Sequence, residues 1–196
     1  RLLHIPDGTV ARFEAFARKH SGMVPLHHLL QKLVIFDFVA PVVESHPHAS
    51  ILEIGAGLGI HSALLSRYGE VAATELAAPG SFVGADRDVA AVRSSGLTEL
   101  SERPVRFAYN DGGRLPYADS SFDLVFHNSV IEHVPDATAF NREVFRLLRP
   151  GGTSICITGT PALCCFRFAK DYLLKFPLLS AVAAARESAM LRRAAL

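Results

Sequence analysis

The stretch Ile51-Leu52-Glu53-Ile54-Gly55-Ala56-Gly57-Leu58-Gly59-Ile60 decides the fold of this chain of 196 residues. Its apolar beginning is short and rich in β-branched and aliphatic residues, which predicts a buried strand. Three alternating glycines follow, and then residues 61–68 show the pattern of a helix. Because glycine has no Cβ, such a turn can be tight and can lie close to a ligand. Strand, glycine-rich turn and helix predict the first unit of a parallel α/β sheet that binds a nucleotide-like ligand.

The spacing of the glycines separates two classes of cofactor. A dinucleotide site needs the spacing Gly-x-Gly-x-x-Gly, but here Ile60 stands at the last position and the third glycine comes one residue early. The order acid-x-Gly-x-Gly-x-Gly instead resembles motif I of the class I S-adenosylmethionine-dependent methyltransferases, whose loop wraps the methionine half of the cofactor. The resemblance implies that the cofactor is bound by Glu53, Gly55, Ala56, Gly57 and Gly59.

Composition limits the classes of function. Hydrophobic residues make up 49% of the chain and the mean hydropathy is +0.25, so one domain with a substantial core is the simplest organisation. The formal net charge of +1 gives no electrostatic reason to expect nucleic acid or an anionic membrane as a partner. We therefore expect a small molecule, and not a nucleic acid, as the second substrate.

Cysteine usage and hydropathy indicate a cytoplasmic protein. The three cysteines, Cys156, Cys164 and Cys165, are odd in number and lack Cys-x-x-Cys spacing, which favours a reducing compartment and predicts no metal site. The longest apolar region, residues 26–43, is interrupted by polar and charged residues, and no signal peptide precedes it. We therefore expect no membrane span.

Residues 1–49 precede the glycine-rich unit and show two helical patterns, at Val10–His20 and at Pro25–Val43. Two interpretations fit these patterns. The helices either cap the substrate site or pack against the edge of the sheet. The sequence leaves both interpretations open.

An acidic residue at the end of the second strand is expected to bind the ribose of the cofactor. Residues 70–75 have the pattern of a strand that ends in Glu75, and a carboxylate there can accept hydrogen bonds from both ribose hydroxyls. Residues 81–86, which end in Asp86, have the same form. We favour Glu75 because the strand before it directly follows the first helix, and we interpret residues 77–88 as an inserted loop.

Residues 104–109 predict a third strand, which runs into Asp111 and Gly112. The next residues, 115–126, read Leu-Pro-aromatic, a polar turn and Phe-Asp before a strand, an order similar to that of the small-molecule members of the class (methyltransferase domain 11-like). The resemblance implies that Asp111 accepts a hydrogen bond from the exocyclic amine of adenine and that the backbone of Gly112 lies close to the ring. The alternative is an ordinary turn at residues 110–113.

Residues 122–126 predict the fourth strand, and residues 127–134 after it resemble the segment that borders the methyl group and the acceptor in the family. Sheets of this type bind ligands at the carboxyl ends of strands, where the strand order reverses. Asn128 is therefore a candidate for binding the cofactor, and His133 is a candidate general base. The alternative for His133 is a packing or capping role before a helix.

Residues 137–148 predict an amphipathic helix that turns Phe140, Val144, Phe145 and Leu148 toward the sheet. The sequence Leu-Arg-Pro-Gly-Gly at residues 148–152 is expected to end this helix. A fifth strand follows at residues 153–158, and Leu-x-Pro-Gly-Gly before a strand also resembles the family.

The last third of the chain departs from the family pattern. The family's sheet usually ends in two further strands, whereas two helices are predicted here, at residues 166–179 and 181–196. Either the sheet lacks its last two strands or the chain ends before them. The apolar residues of these helices need a cover, which the sheet or a second copy of the chain would provide. The second of these options predicts a homodimer through the C-terminal helices.

Together these features predict an α/β fold with a doubly wound, mainly parallel, Rossmann-like sheet in the order 3-2-1-4-5. Residues 50–160 would form the cofactor-binding core, between an N-terminal helical segment at 1–49 and a C-terminal helical segment at 161–196. The resemblance implies transfer of the methyl group of S-adenosylmethionine to a small-molecule acceptor by in-line displacement, without a metal. A truncated or degenerate member that binds the cofactor or a partner without catalysis is the second hypothesis. Ile60 disfavours the third, a nicotinamide-dependent oxidoreductase.

Overall fold

The computed structural model describes residues 2–77 and 87–158 of the chain. The strands of this part are β1 (Ala49–Ile54), β2 (Gly69–Leu76), β3 (Val105–Asn110), β4 (Phe122–Asn128) and β5 (Leu148–Ile157). Its α-helices are α1 (Asp7–Lys19), α2 (Leu26–Glu44), α3 (Ile60–Leu65), α4 (Arg87–Glu99) and α5 (Ala137–Leu147). A 3-10 turn at Ile131–His133 precedes α5.

The five strands form one parallel sheet in the order β3-β2-β1-β4-β5, which confirms the predicted topology. Ile54 of β1 pairs with Thr74 of β2 and with His127 of β4, so the carboxyl ends of these three strands are level. The strand order reverses between β1 and β4. Sheets of this type bind ligands in the crevice at that point.

One face of the sheet is covered by the helices that precede β1 together with α3 and α4. Their apolar side chains share a single core with the sheet, which includes Phe13, Leu33, Phe36, Ile60, Val92, Ile51, Phe126 and Ile155. The His46 ring, just beyond α2, lies with its Nε2 3.0 Å from Thr153 Oγ1 of β5. The N-terminal helices therefore pack on a face of the sheet and belong to its main core.

Helix α2 has 19 residues and is, by length and composition alone, apolar enough to cross a membrane. The core helix of a soluble protein meets the same criteria. Here the stripe of α2 that faces the sheet is buried, and it consists of Leu29, Leu33, Phe36, Val39, Ala40 and Val43. The absence of a membrane span stays an expectation from the sequence.

Helix α5 covers the opposite face, where Val144 and Leu147 are buried in a second, smaller core. The predicted inward orientation of Phe145 is wrong, because its side chain is 81% exposed. Phe140, Val144 and Leu147 lie at positions i, i+4 and i+7, which form one stripe of a helix. Phe145, which directly follows Val144, lies off this stripe and therefore points into solvent.

Strand β5 begins at Leu148, five residues before its predicted start. The register changes because Phe122 pairs with Leu148 whereas Leu124 pairs with Thr153. The Pro-Gly-Gly turn is thus looped out within the strand, where Gly151 adopts a φ of +81°. Helix α3 ends at Leu65, earlier than its predicted end at residue 68, because the chain already enters β2 at Gly69.

Several predicted features lie outside the described residues. They are the alternative second strand with Asp86, the predicted helices at residues 166–179 and 181–196, the expected lack of the family's last two strands, and the homodimer through the C-terminal helices.

Candidate active site at the carboxyl ends of the strands

The glycine loop between β1 and α3 has a left-handed backbone at all three predicted glycines. The φ angles are +76° at Gly55, +57° at Gly57 and +79° at Gly59, a region that side chains other than glycine disfavour. A Cβ on Gly59 would lie 2.7 Å from Leu97 Cδ2, and one on Gly55 would collide with Val130. A Cβ on Gly57 would meet nothing within 4 Å, so the middle of the loop faces open space.

The amides of the loop are bound by β2. Gly55 N–H and Ala56 N–H both donate to the Thr74 carbonyl, each at 2.9 Å. Gly57 N–H donates to Glu75 Oε2 at 2.7 Å, and Leu76 N–H donates to Glu75 Oε1 at 2.8 Å. The structure therefore places Glu75 at the tip of β2, directly beside the loop, as predicted for the residue that binds the ribose.

Glu53 lies beneath the loop. Its side chain is only 1% exposed, and it accepts a hydrogen bond from Ser62 Oγ of α3. Burial raises the pKa of Glu53 to about 8, so this carboxyl group is largely protonated at neutral pH. Glu53 thus supports the loop from behind, and its predicted direct contact with the cofactor stays a prediction.

His61 of α3 is the neighbour of Glu53. Its Nε2–H donates to the Lys32 carbonyl of α2 at 3.2 Å, and its Nδ1 lies 3.7 Å from Glu53 Oε1. Burial holds the pKa of His61 well below its ordinary value. This histidine is therefore neutral and links the N-terminal helix to the base of the glycine loop.

Arg93 of α4 binds the other side of the loop. It is 2% exposed, its Nε–H donates to the Gly57 carbonyl, and its Nη1–H donates to Tyr109 Oη at 2.9 Å. Its guanidinium carbon lies 4.8 Å from the centre of the Phe107 ring and 5.5 Å from that of Tyr109, within the range of a cation–π interaction. Arg93 was not among the residues predicted from the sequence. Val92, Gly96 and Leu100 are also buried, so the helical spacing of Arg93 with Gly96 and Leu100 was the signal that could have indicated its burial.

Asp111 and Gly112 follow β3 at the same edge of the sheet. Asn110 accepts the Gly112 N–H through its side chain at 2.9 Å, and its carbonyl accepts the Ala77 N–H at 2.8 Å. The second of these bonds holds the end of β2 against the end of β3, whereas the first lies within the turn after β3. The Asp111 side chain is exposed, and its Oδ1 accepts the Gly113 N–H at 2.9 Å. Asp111 thus lies in an ordered turn next to the end of β2, where its carboxylate can accept further hydrogen bonds.

Asn128 ends β4, opposite the glycine loop. Its Oδ1 is buried and accepts no hydrogen bond within the described part of the chain. Because a buried polar atom without a partner is costly, this oxygen marks a position for a ligand donor. The next residue, Ser129, has a φ of +56° and donates its N–H to the Ile157 carbonyl at 2.8 Å, which fixes the exit of the chain from the sheet.

Two histidines lie near Asn128 in the chain. His133, the candidate general base, is exposed in the 3-10 turn, and its ring makes no hydrogen bond to the described residues. His127 is 1% exposed and packs edge-on against Phe140 at 5.1 Å between ring centres. Burial lowers the pKa of His127, which keeps its imidazole neutral. A base function of His133 stays a prediction.

The structure brings most of the predicted site residues together at one edge of the sheet. The glycine loop, Glu75, Asp111 with Gly112, and Asn128 follow four neighbouring strands. No group of three or more His, Cys, Asp or Glu side chains that could hold a metal ion occurs among the described residues. The arrangement can hold an elongated polar ligand across the ends of β3, β2, β1 and β4.

A sequence model of the methyltransferase domain matches residues 52–156, more than half of the chain. The chain belongs to this family, the class I S-adenosylmethionine-dependent methyltransferases. The matched range begins in β1 and ends in β5, so it covers every strand of the sheet.

Two curated relatives illustrate the similarity. The ubiquinone biosynthesis O-methyltransferase of Ruegeria pomeroyi is 29% identical over 167 residues, which are 79% of this chain and 64% of the relative. The methyltransferase GfsG of Streptomyces halstedii is 38% identical over 118 residues, which are 56% of this chain and 39% of the relative. The chain thus spans less than two thirds of the length of either relative.

A crystal structure supports the assignment of the fold. That structure, of a candidate methyltransferase from Bacillus halodurans, is 18% identical to this chain and superposes with a TM-score of 0.52. The superposition covers 62% of this chain and 51% of the other. The doubly wound parallel sheet is therefore the sheet of this class.

Proposed function

We propose that the chain binds S-adenosylmethionine at the carboxyl ends of β1 to β4 and transfers its methyl group to a small-molecule acceptor. The observation that carries the proposal is the placement of Glu75 beside Gly57. An acceptor for ribose hydroxyls and a loop without side chains then lie at the point where the strand order reverses.

The side chains of the site suit the separate parts of this cofactor. Glu75 and Asp111 are acceptors for the ribose hydroxyls and the adenine amine, both of which are donors. The open space above Gly57 leaves room for the chain between sulfur and amino acid. The orphaned Asn128 Oδ1 is an acceptor for the ammonium group of the amino-acid half. Each polar part of the ligand would thus meet a group of matching hydrogen-bonding character.

The sulfonium group of the cofactor supplies a methyl group that is already activated for transfer. The chain's own residues would then act by positioning, because aligned reacting atoms remove much of the entropic barrier. Glu75 and the loop would fix the cofactor, and the segment after β4 would border the acceptor. His133 is exposed beside that segment and is our candidate for accepting a proton from an acidic acceptor group.

The acceptor is proposed only as a class. One relative is by name an O-methyltransferase of ubiquinone biosynthesis, and another, from Desulfotalea psychrophila, is by name a C-methyltransferase of ubiquinone and menaquinone biosynthesis. Both names favour a small organic molecule over a macromolecule. The net charge of +1 agrees, because nucleic-acid binders concentrate positive charge.

Calorimetry and a transfer assay test the proposal together. We expect S-adenosylhomocysteine to bind and NAD(H) to bind more weakly or not at all. A panel of phenolic and quinol acceptors with labelled S-adenosylmethionine would then report transfer. Binding heat without a methylated product over a broad panel would favour the non-catalytic alternative. Absence of binding heat with both S-adenosylhomocysteine and S-adenosylmethionine would overturn the proposal.

A further inference from the structure

The outward side of α2 carries an exposed apolar ridge. Apolar side chains follow one another along this helix at steps of four residues, which places them on one side of it. Leu30 is half-buried and the others are exposed. The ridge consists of Leu26, Leu30, Val34, Phe38 and Val42. Leu3, which is also exposed, lies beside the ridge because its N–H donates to Asp37 at 3.0 Å.

This concentration of exposed apolar surface calls for a partner. Single exposed apolar residues are normal on a protein, whereas contiguous ones mark an interaction surface. Elsewhere in the described part of the chain, the large apolar side chains with comparable exposure are Tyr109 and Phe145. They lie on different elements, β3 and α5, so they form no ridge. The ridge of α2 is therefore a candidate docking surface.

The charges around the ridge distinguish between possible partners. The two acids of α2, Asp37 and Glu44, flank the C-terminal half of the ridge, and its one lysine, Lys32, is not part of the ridge. An anionic lipid surface attracts helices whose exposed side is rich in Lys and Arg, so this pattern disfavours a membrane. A partner that combines an apolar stripe with positive charge fits the ridge better.

The sequence of the C-terminal segment, residues 161–196, has both properties. The segment contains six basic residues and two acids. Because the net charge of the whole chain is only +1, the rest of the chain is net negative. In the helix predicted at residues 166–179, apolar side chains recur at i, i+3, i+7 and i+10, which is one stripe of a helix. They are Phe166, Ala169, Leu173 and Phe176, whereas Arg167, Lys170 and Lys175 fall outside the stripe.

The chain leaves the sheet near the start of α2. The end of α2 lies beside β5, where His46 Nε2 is 3.0 Å from Thr153 Oγ1. The start of α2 lies toward the carboxyl edge of the sheet, where the Lys32 carbonyl accepts the His61 Nε2–H, and β5 ends at this same edge. Residues 159–165 can extend over about 23 Å, about twice the diameter of a helix with its side chains. The segment that follows can therefore pass around α2 and reach the ridge.

We infer that the helix predicted at residues 166–179 docks on the ridge of α2 in the same chain, with its basic side chains toward Asp37 and Glu44. The inference does not depend on the proposed catalytic activity. It gives the apolar stripe of the C-terminal segment a cover within one copy of the chain. The N-terminal helices, which already pack on the sheet, would then also hold the end of the chain.

Hydrogen–deuterium exchange with the full chain tests the inference. In the wild type, the amides of residues 166–176 should exchange at least about 10-fold more slowly than in a free peptide of the same sequence. Phe38→Lys places a cation in the middle of the ridge, where it removes apolar contact and repels the basic segment. Exchange of these amides should then approach that of the free peptide. The amides of β1 and β4, measured at the same time, report whether the sheet is folded.

Three further variants serve as controls. Phe145→Lys is the matched one, because the Phe38 and Phe145 side chains are both 81% exposed and Phe145 lies on α5, across the sheet from α2. It should leave the exchange of residues 166–176 unchanged. Phe38→Leu keeps the ridge apolar and should keep the protection. Val34→Lys, one turn earlier on the ridge, should act like Phe38→Lys and decides the question if that variant does not fold.

Light scattering at the concentrations used for exchange should give the mass of a single chain, 21.2 kDa. Protection of residues 166–176 that disappears as a dimer dissociates on dilution would overturn the inference in favour of a second copy. Protection that appears only with phosphatidylglycerol vesicles would overturn it in favour of a lipid surface. Protection that persists in both Phe38→Lys and Val34→Lys, or that Phe145→Lys removes equally, would show that the segment does not dock on the ridge.

Discussion

The backbone N–H of Gly57 donates to the carboxylate of Glu75 at 2.7 Å. This bond joins the glycine loop after β1 to the end of β2, so the loop and the candidate ribose-binding residue are in direct contact. A change in either residue should therefore affect the position of the other. Variants of the two residues need controls that separate loss of a ligand contact from strain in the backbone of the loop.

Replacement of Glu75 tests the ribose assignment. Glu75→Ala removes a charged acceptor and should weaken S-adenosylhomocysteine binding by about 1.5–3 kcal/mol, a tenfold to hundredfold change in Kd. Calorimetry gives the affinity directly. Glu70→Ala, at the opposite and exposed end of the same strand, should bind normally. Normal binding by Glu75→Ala together with weak binding by Asp86→Ala would transfer the role to Asp86.

Replacement of Gly57 tests whether the cofactor passes over the loop. Gly57→Val places a branched side chain in space that the protein leaves open, so we expect loss of measurable S-adenosylhomocysteine binding. The substitution also strains a backbone with a φ of +57°. Gly151→Val is the matched control, since Gly151 has a φ of +81° and open surroundings in β5. A similar loss of affinity in both variants would indicate strain rather than obstruction.

The bond between Arg93 and Tyr109 makes a prediction about stability. Tyr109→Phe keeps the ring but removes the oxygen that accepts the Arg93 Nη1–H, and should lower the free energy of unfolding by about 1 kcal/mol in urea titrations. Tyr117→Phe is the control, because the Tyr117 ring packs on Phe122 and its hydroxyl group has no hydrogen bond to the described residues. An equal effect of both substitutions would contradict the prediction.

Glu53 makes a prediction about pH. Its pKa is raised from an ordinary 4.5 to about 8 in the folded chain. Between these values the folded chain holds a proton that the unfolded chain has lost. Its contribution to stability therefore falls as the pH rises through this window, by at most about 1.4 kcal/mol per pH unit. Glu53→Gln is neutral at every pH and lacks this dependence.

The measurement is the difference in unfolding free energy between wild type and Glu53→Gln from pH 5 to pH 8. The glutamine variant should gain on the wild type as the pH rises, because only the wild type carries the buried carboxyl. Other titrating groups are common to both proteins and cancel in the difference. A difference that stays constant, or that shifts in favour of the wild type as the pH rises from 5 to 8, would disprove a raised pKa at Glu53.

Periodicity and motif order were sufficient to predict the sheet and the position of the candidate residues at its carboxyl edge, whereas the binding roles of those residues stay predictions. Glu75 and Asn128 end short apolar strands, and a parallel sheet brings such ends to one edge. The error at Phe145 has a different origin, since one residue of helical phase decides between core and solvent. Arg93 was not predicted because its role depends on contacts between α4, β3 and the loop, which are distant in sequence.

The Thr74 carbonyl accepts two successive loop amides, those of Gly55 and Ala56. The loop is thus pinned by its own protein before any ligand arrives, and its conformational entropy is lost during folding. Binding then requires little further ordering of the loop, which favours affinity. In hydrogen–deuterium exchange, the amides of Gly55, Ala56 and Gly57 should already be protected in the free protein, at a level that ligand addition changes little.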